Sequence, residues 1–207
     1  PGAAGRALPL LLRGLRDDER PGGIPHGKLL CRRWRGLRAR GDRVRHVLIL
    51  CTGNSARSIL GEALINHLGN GRVRGHSAGS QPKALPHPMA FEVLQAVGIA
   101  TAGLHSKSWD RFSGADAPRL DLVITVCDAA ANEVCPWFPG PAVRAHWGLP
   151  DPPAAGDEQA QRARFTAVRD ALHARIETLM GWPDAAWDHA DFGARVQRLH
   201  DILPRPE

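Results

Sequence analysis

Tyrosine is absent, lysine appears only three times against twenty-four arginines, and no apolar stretch comes near the length of a membrane span. Without ~18 consecutive apolar residues no segment reads as a transmembrane helix. Pro1 to Leu15 has neither the long apolar region nor the cleavage signal of a secretory leader, so a cytoplasmic chain is expected. Four cysteines in 207 residues are too few for a disulfide scaffold, and cytosolic thiols are kept reduced. Reactive or metal-bound cysteines are the better reading. Scarce lysine beside abundant alanine, glycine and proline suggests a GC-rich coding sequence and a bacterial source, and says nothing about function. The length suits one well-filled domain, expected as a monomer.

The net charge of +6 invites a nucleic-acid partner until its distribution is considered. Residues 1–45 hold 12 basic against 4 acidic side chains, and the remainder holds 15 against 17. The folded part is therefore not basic, and nucleic acid is not an expected partner. Residues 1–45 mix glycine, proline and arginine around one leucine patch, Leu8 to Leu12, without a sustained period. They are expected to be a disordered basic arm. Arg32, Arg33, Arg35, Arg38 and Arg40 could meet an acidic surface, or the arm lies upstream of a natural start near Val44 or Val47. Cys31 in this arm has no neighbouring His or Cys and stays unassigned.

The chain is organised around His46 to Ser58, HVLILCTGNSARS. Val47 to Leu50 shows no alternation, as in a strand covered on both faces of a parallel sheet. Cys51 then falls at the carboxyl end of that strand, where open α/β sheets bind ligands. Thr52, Gly53, Asn54, Ser55 and Ala56 are small, so successive backbone N–H groups can turn inward around a tetrahedral oxyanion. Arg57 adds a planar fork for two oxygens. From Ser58 the apolar spacing is helical, so the loop runs into a helix N-terminus that favours an anion. In such surroundings a cysteine pKa can fall to roughly 3.5–7.5, and Cys51 is expected to be a nucleophile at neutral pH. The alternative for Cys51 is a buried core cysteine.

Further elements follow in order. A helix over 58–68 ends at Gly69-Asn70-Gly71, a strand covers 72–78, and Pro88 opens a helix stopped by Gly98. Ser108 caps a short turn through Phe112, and Leu120 to Val126 is a buried strand with Cys127 at its end. Asp128 to Val134 is a short helix or loop leading to Cys135. Val143 to His146 is a fourth strand, followed by the rigid loop Trp147 to Pro153. A long helix spans 162–180 with Phe165, Val168, Leu172, Ile176 and Leu179 on one face, and a last helix spans 187–203. Strands alternating with helices make an α/β doubly wound sheet, which brings Cys51, Cys127 and Asp151 to one edge. On its own, Asp151 also reads as a turn residue, and Cys127 with Cys135 as packed cysteines or half a metal site.

CTGNSARS resembles the phosphate loop of the low-molecular-weight protein tyrosine phosphatase superfamily, and its Asn-Ser-Ala-Arg form resembles the arsenate reductase branch. The resemblance covers about residues 46–203. It implies a flavodoxin-like, four-stranded parallel sheet with helices on both faces. It implies arsenate as substrate, with phosphate or sulfate as mimics, Cys51 as nucleophile, and oxygens held by the amides from Thr52 to Ser58 and by Arg57. Asp151, in an Asp-Pro loop, would protonate the leaving oxygen. Cys127 and Cys135 would be the resolving thiols, although their interval is one residue longer than in the best-known members. No bound cofactor is implied, and an external thioredoxin, glutaredoxin or glutathione-type thiol would be the reductant. Asn54, Glu62 and Ser77 match positions used by members with a bound potassium ion.

The nearest rival is a phosphomonoesterase of the same family, since arsenate and phosphate share shape and charge. A tyrosine phosphatase has aromatic residues beside its aspartate, whereas here Asp151 is followed by Pro152-Pro153. A second thiol is needed for reduction and not for hydrolysis. A non-enzymatic oxyanion-binding or redox-regulatory module is the remaining alternative, and intact Cys51, Arg57 and Asp151 argue against it.

Overall fold

Four parallel strands lie in the order β2-β1-β3-β4 in the computed structural model, which describes residues 43–132, 138–140, 142–154 and 156–206. The strands are β1 (Arg45–Cys51), β2 (Val73–Gly79), β3 (Leu122–Thr125) and β4 (Val143–His146). Five α-helices accompany them: α1 (Arg57–Leu68), α2 (Pro88–Gln95), α3 (Asp128–Asn132), α4 (Glu158–Met180) and α5 (Phe192–Ile202). The architecture is the α/β, flavodoxin-like one expected. Because β1 pairs with both β2 and β3, the chain leaves it on one side and returns on the other. Its carboxyl end is therefore the point where such sheets open a crevice for ligands.

The unalternating Val47 to Leu50 run is fully buried because both faces of β1 are covered. Val47, Ile49 and Cys51 join the larger core with residues of α1, α2, α4 and α5. Leu48 and Leu50 face the smaller core of Phe112, Leu120, Val123 and Phe138. The cover is unequal: most helices lie on the first face, while the second has the short 3-10 turn Trp109–Phe112, capped by Ser108 as expected. Each fully buried aliphatic side chain of β1 contributes roughly 1.5–3 kcal/mol over leaving it in water.

Helix α4 buries Phe165, Val168, Leu172, Ile176 and Leu179 completely. It begins earlier than the apolar period suggests, because Asp157 accepts from the Ala160 amide at 2.9 Å and caps the first turn. The expected terminal helix is divided. Trp187 belongs to a 3-10 turn, Asp184–Asp188, and α5 starts only at Phe192. Strand β3 is shorter than expected, and β4 is an edge whose backbone is satisfied by a side chain. The Gln197 amide accepts from His146 N and donates to His146 O, both at 2.8 Å, as another strand would.

The sheet takes in Arg45, one residue ahead of the boundary read from composition. Its guanidinium meets both carboxylate oxygens of Asp188 at 2.9 Å, and Arg43 pairs with Asp121. Residues 1–42, with Cys31 and the leucine patch, lie outside the described residues, as do Cys135 and its neighbours. Among the described residues no helix is long and apolar enough to cross a membrane.

Candidate active site

The loop between β1 and α1 is held from outside by its carbonyl groups. Thr52 O accepts from Gln81 N at 3.0 Å, Gly53 O from Lys83 N at 2.9 Å, and Ser55 O from His87 N at 2.8 Å. Asn54 O accepts from Ser106 Oγ at 2.8 Å. With the carbonyls turned away to the 80–87 strap and to Ser106, the N–H groups are left to the concave side, as an oxyanion nest requires. Gly79 makes this packing possible. A Cβ there would stand 2.3 Å from Thr52 O and 2.9 Å from Asn54 N, so the loop can lie on the end of β2 only over glycine. Asn54 is fully buried and adopts a left-handed φ of 40°. Its side chain offsets that strain by donating to Ser58 Oγ at 2.8 Å and Ser77 Oγ at 2.9 Å, and by accepting from Lys107 N at 2.7 Å.

The loop encloses a cavity of about 270 Å³ whose wall includes Cys51, Gly53, Ser55 and Arg57, with Asp151 and Pro153 opposite. Arg57 donates from Nη1 to Leu149 O at 2.9 Å and from Nη2 to Asp151 Oδ1 at 2.8 Å. Its buried Nε donor has no partner among the described residues, which suits a group made to receive an anionic oxygen. Cys51 is 3% exposed and its Sγ lies 2.9 Å from Ser58 Oγ. Burial pushes the Cys51 thiol up from its ordinary value, while the Ser58 hydroxyl and amide and the Arg57 charge pull it down. In the ligand-free protein the burial effect is the larger. Burial thus opposes the thiolate, and the Ser58 hydroxyl and the Arg57 charge favour it.

The second thiol lies against the first loop. Cys127, 4% exposed, has its Sγ 3.7 Å from Thr52 Oγ1 and receives the Ala130 amide at 3.4 Å. Cys51 and Cys127 are both free thiols. The loop that brings Asp151 is fixed by Trp147, fully buried, whose indole donates to Val196 O at 3.0 Å, and by Leu149 N donating to Val126 O at 3.2 Å. Three loops from three strand ends thus meet at one edge, bringing Cys51, Arg57, Cys127 and Asp151 together.

A model of the low molecular weight phosphotyrosine protein phosphatase family matches residues 46–191. The chain belongs to this family. Within it, the similarity is to arsenate reductases. The arsenate reductase of Bacillus subtilis (strain 168) is 33% identical over 132 residues, spanning 63% of this chain and 91% of that protein. A solved arsenate reductase in its phosphate binding state is 28% identical with a TM-score of 0.53, over 66% of this chain and 97% of that one. The low molecular weight protein tyrosine phosphatase from T. tengcongensis shares the fold at 21% identity, with a TM-score of 0.54 over 66% and 97%.

One expectation drawn from the family's resemblance needs correction. Asn54, Glu62 and Ser77 do cluster, through Asn54–Ser77 and Ser77–Glu62 hydrogen bonds. The cation among them, however, is the chain's own. Lys107 Nζ lies 2.9 Å from Glu62 Oε2, 3.0 Å from His105 O and 3.3 Å from Ser77 Oγ. A potassium ion does not fit beside an ammonium that already uses the one carboxylate, since like charges repel. No group of three or more His, Cys, Asp or Glu among the described residues could hold a metal ion. Lys107 escaped the sequence reading because its loop, Leu104 to Lys107, carries no motif. Gln81 and Lys83, which also line the cavity, escaped for the same reason.

Proposed function

We propose that this family member reduces arsenate to arsenite, with Cys51 as nucleophile, Cys127 as second thiol and Cys135 as third. The observation that carries the reading is the free Cys127 thiol buried against the phosphate loop at Thr52, since phosphoester hydrolysis needs water there and reduction needs sulfur. Family membership and the similarity to arsenate reductases support it.

Arsenate enters the nest and its oxygens take the Arg57 fork, displacing Asp151. Cys51 loses its thiol proton as its sulfur attacks arsenic, and Asp151 passes a proton to the departing oxygen, which leaves as water. Cys127 sulfur then attacks Cys51 sulfur. A sulfur–sulfur bond forms, the sulfur–arsenic bond breaks, and its electron pair stays on arsenic, which leaves as arsenite. Cys135 attacks Cys127, transferring the bond and freeing Cys51, and an external thiol such as thioredoxin, glutaredoxin or glutathione reduces the resulting disulfide. The protein needs no bound cofactor for this. A reducing cytoplasm and arsenic detoxification are the setting and role that such chemistry suits.

Peptide mapping after one equivalent of arsenate, without reductant, tests the reading. A Cys127–Cys135 disulfide with one equivalent of arsenite is the expected product. A Cys51–Cys127 disulfide would confine the relay to two thiols and assign its resolution to an external thiol. All cysteines reduced, with arsenate unconsumed, would overturn the reductase assignment in favour of a phosphatase.

A further inference from the structure

Of the three lysines in this arginine-dominated chain, Lys83 and Lys107 are the two outside the basic arm, and both lie on segments wrapped around the phosphate loop. Lys107 is committed to Glu62. Lys83 is not: its side chain has no hydrogen bond or ion pair among the described residues, although it lines the cavity that holds Cys51. Its place there is fixed. The Lys83 N–H donates to Gly53 O at 2.9 Å, and its aliphatic stem lies over Gly53, with Cγ and Cε each 3.6 Å from where a Cβ on that glycine would stand. The stem thus runs along the pocket wall, with the ammonium one bond beyond Cε and the side chain exposed.

We propose that Lys83 is a specificity-determining residue, selecting a free inorganic oxyanion over an organic ester. The inference rests on the arsenate reading and deepens it. An oxyanion seated in the nest gives inward oxygens to the amides and Arg57 and leaves one oxygen toward the mouth. In arsenate or phosphate that oxygen is unsubstituted and carries charge or a proton. In an aryl ester it carries the ring and no charge. A compact ammonium favours the first, and the charge matters most in the resting pocket, where Arg57 is neutralised by Asp151 at 2.8 Å. Gln81, on the same strap, and Pro153, on the opposite wall, line the pocket, and none of its described lining residues is aromatic.

The test titrates inorganic phosphate into the wild type, Lys83→Met and Lys83→Arg, and measures arsenate and p-nitrophenyl phosphate kinetics on all three. Lys83→Met should weaken phosphate binding and raise the arsenate KM roughly three- to tenfold, with kcat changed much less. Lys83→Arg should keep most of the affinity. The KM for the aryl ester should move far less, and added salt should narrow the gap between wild type and Lys83→Met. Unchanged phosphate affinity in Lys83→Met overturns the proposal, and so does an equal loss toward phosphate and the aryl ester. If the wild type reduces no arsenate, the phosphate titration still reads Lys83, so failure of the reductase assignment is distinguishable from failure of this one.

Discussion

Arg57 Nη2 and Asp151 Oδ1 meet at 2.8 Å across the pocket, so the two groups best placed to serve a bound oxyanion are paired with each other. Substrate binding must break this pair, and the carboxylate it displaces is then free to carry a proton to the leaving oxygen. Asp151→Asn should separate the two effects. Inorganic phosphate should bind a fewfold more tightly, because an anion competing for Arg57 is gone, while kcat should fall roughly 10²–10⁴-fold with the loss of the acid. Isothermal titration and steady-state rates would read both. Weaker phosphate binding with normal turnover would make the pair structural.

Cys51 gives the pH dependence. Burial raises its thiol pKa, and Ser58 Oγ at 2.9 Å is the foremost group opposing that. A raised pKa means that the thiolate fraction, and hence reactivity, climbs as pH rises. Alkylation of the protein by iodoacetamide should therefore still be accelerating from about pH 7 to about pH 9, followed at Cys51 alone by mass spectrometry of its peptide. Ser58→Ala removes an effect that lowers the pKa, so its profile should move further alkaline. A plateau already reached at neutrality would show that the loop amides outweigh burial.

Where periodicity or a cap marked an element, the sequence was readable: Val47 to Leu50 as a covered strand, Ser108 as a cap, Pro88 at a first helical turn, the five apolar positions of α4. The phosphate loop and its meeting with Cys127 and Asp151 followed from strand ends sharing one sheet edge. What stayed hidden depends on partners distant in sequence. The strap that turns the loop carbonyls outward pairs residue 81 with 52 and 83 with 53, and no local signal announces it. The burial of Cys51, which raises its pKa, is likewise illegible in a motif that displays only the groups favouring a thiolate. The potassium assignment failed because Asn54, Glu62 and Ser77 are recognisable by position, whereas Lys107 reaches them across 45 residues from Glu62.

That built-in cation is testable by deletion. Lys107 and Glu62 side chains are 8% and 12% exposed, so Lys107→Met leaves a carboxylate poorly solvated and unpaired. Breaking such a pair costs about 3–5 kcal/mol where burial is complete, and somewhat less here. Chemical denaturation should report the loss. Potassium should raise the unfolding midpoint of Lys107→Met and leave the wild type unmoved, because only the variant offers Glu62, Ser77 and Asn54 a vacated cation position. A variant as stable as wild type and indifferent to potassium would mean that the network does not depend on its charge.

The proposed relay makes a demand on α3. Cys135 lies eight positions after Cys127, and if helix continued between them the two would stand about 12 Å apart. A disulfide needs Cα atoms roughly 4.4–6.8 Å apart. We expect α3 to unwind as the bond moves to Cys135, breaking the Ala130 N–Cys127 Sγ contact at 3.4 Å and straining the Asp128–His146 pair at 3.1 Å. Cys135→Ser should accordingly release one equivalent of arsenite and stop with a Cys51–Cys127 disulfide and α3 intact, while the oxidised wild type should lose hydrogen-exchange protection at residues 128–132. Cys127→Ser should bind arsenate but release no arsenite, since serine cannot accept the sulfur bond, and should keep weak hydrolysis of an activated aryl phosphate. Arsenite release by Cys127→Ser, or equal protection of α3 in oxidised wild type and Cys135→Ser, would break the relay at the thiol concerned.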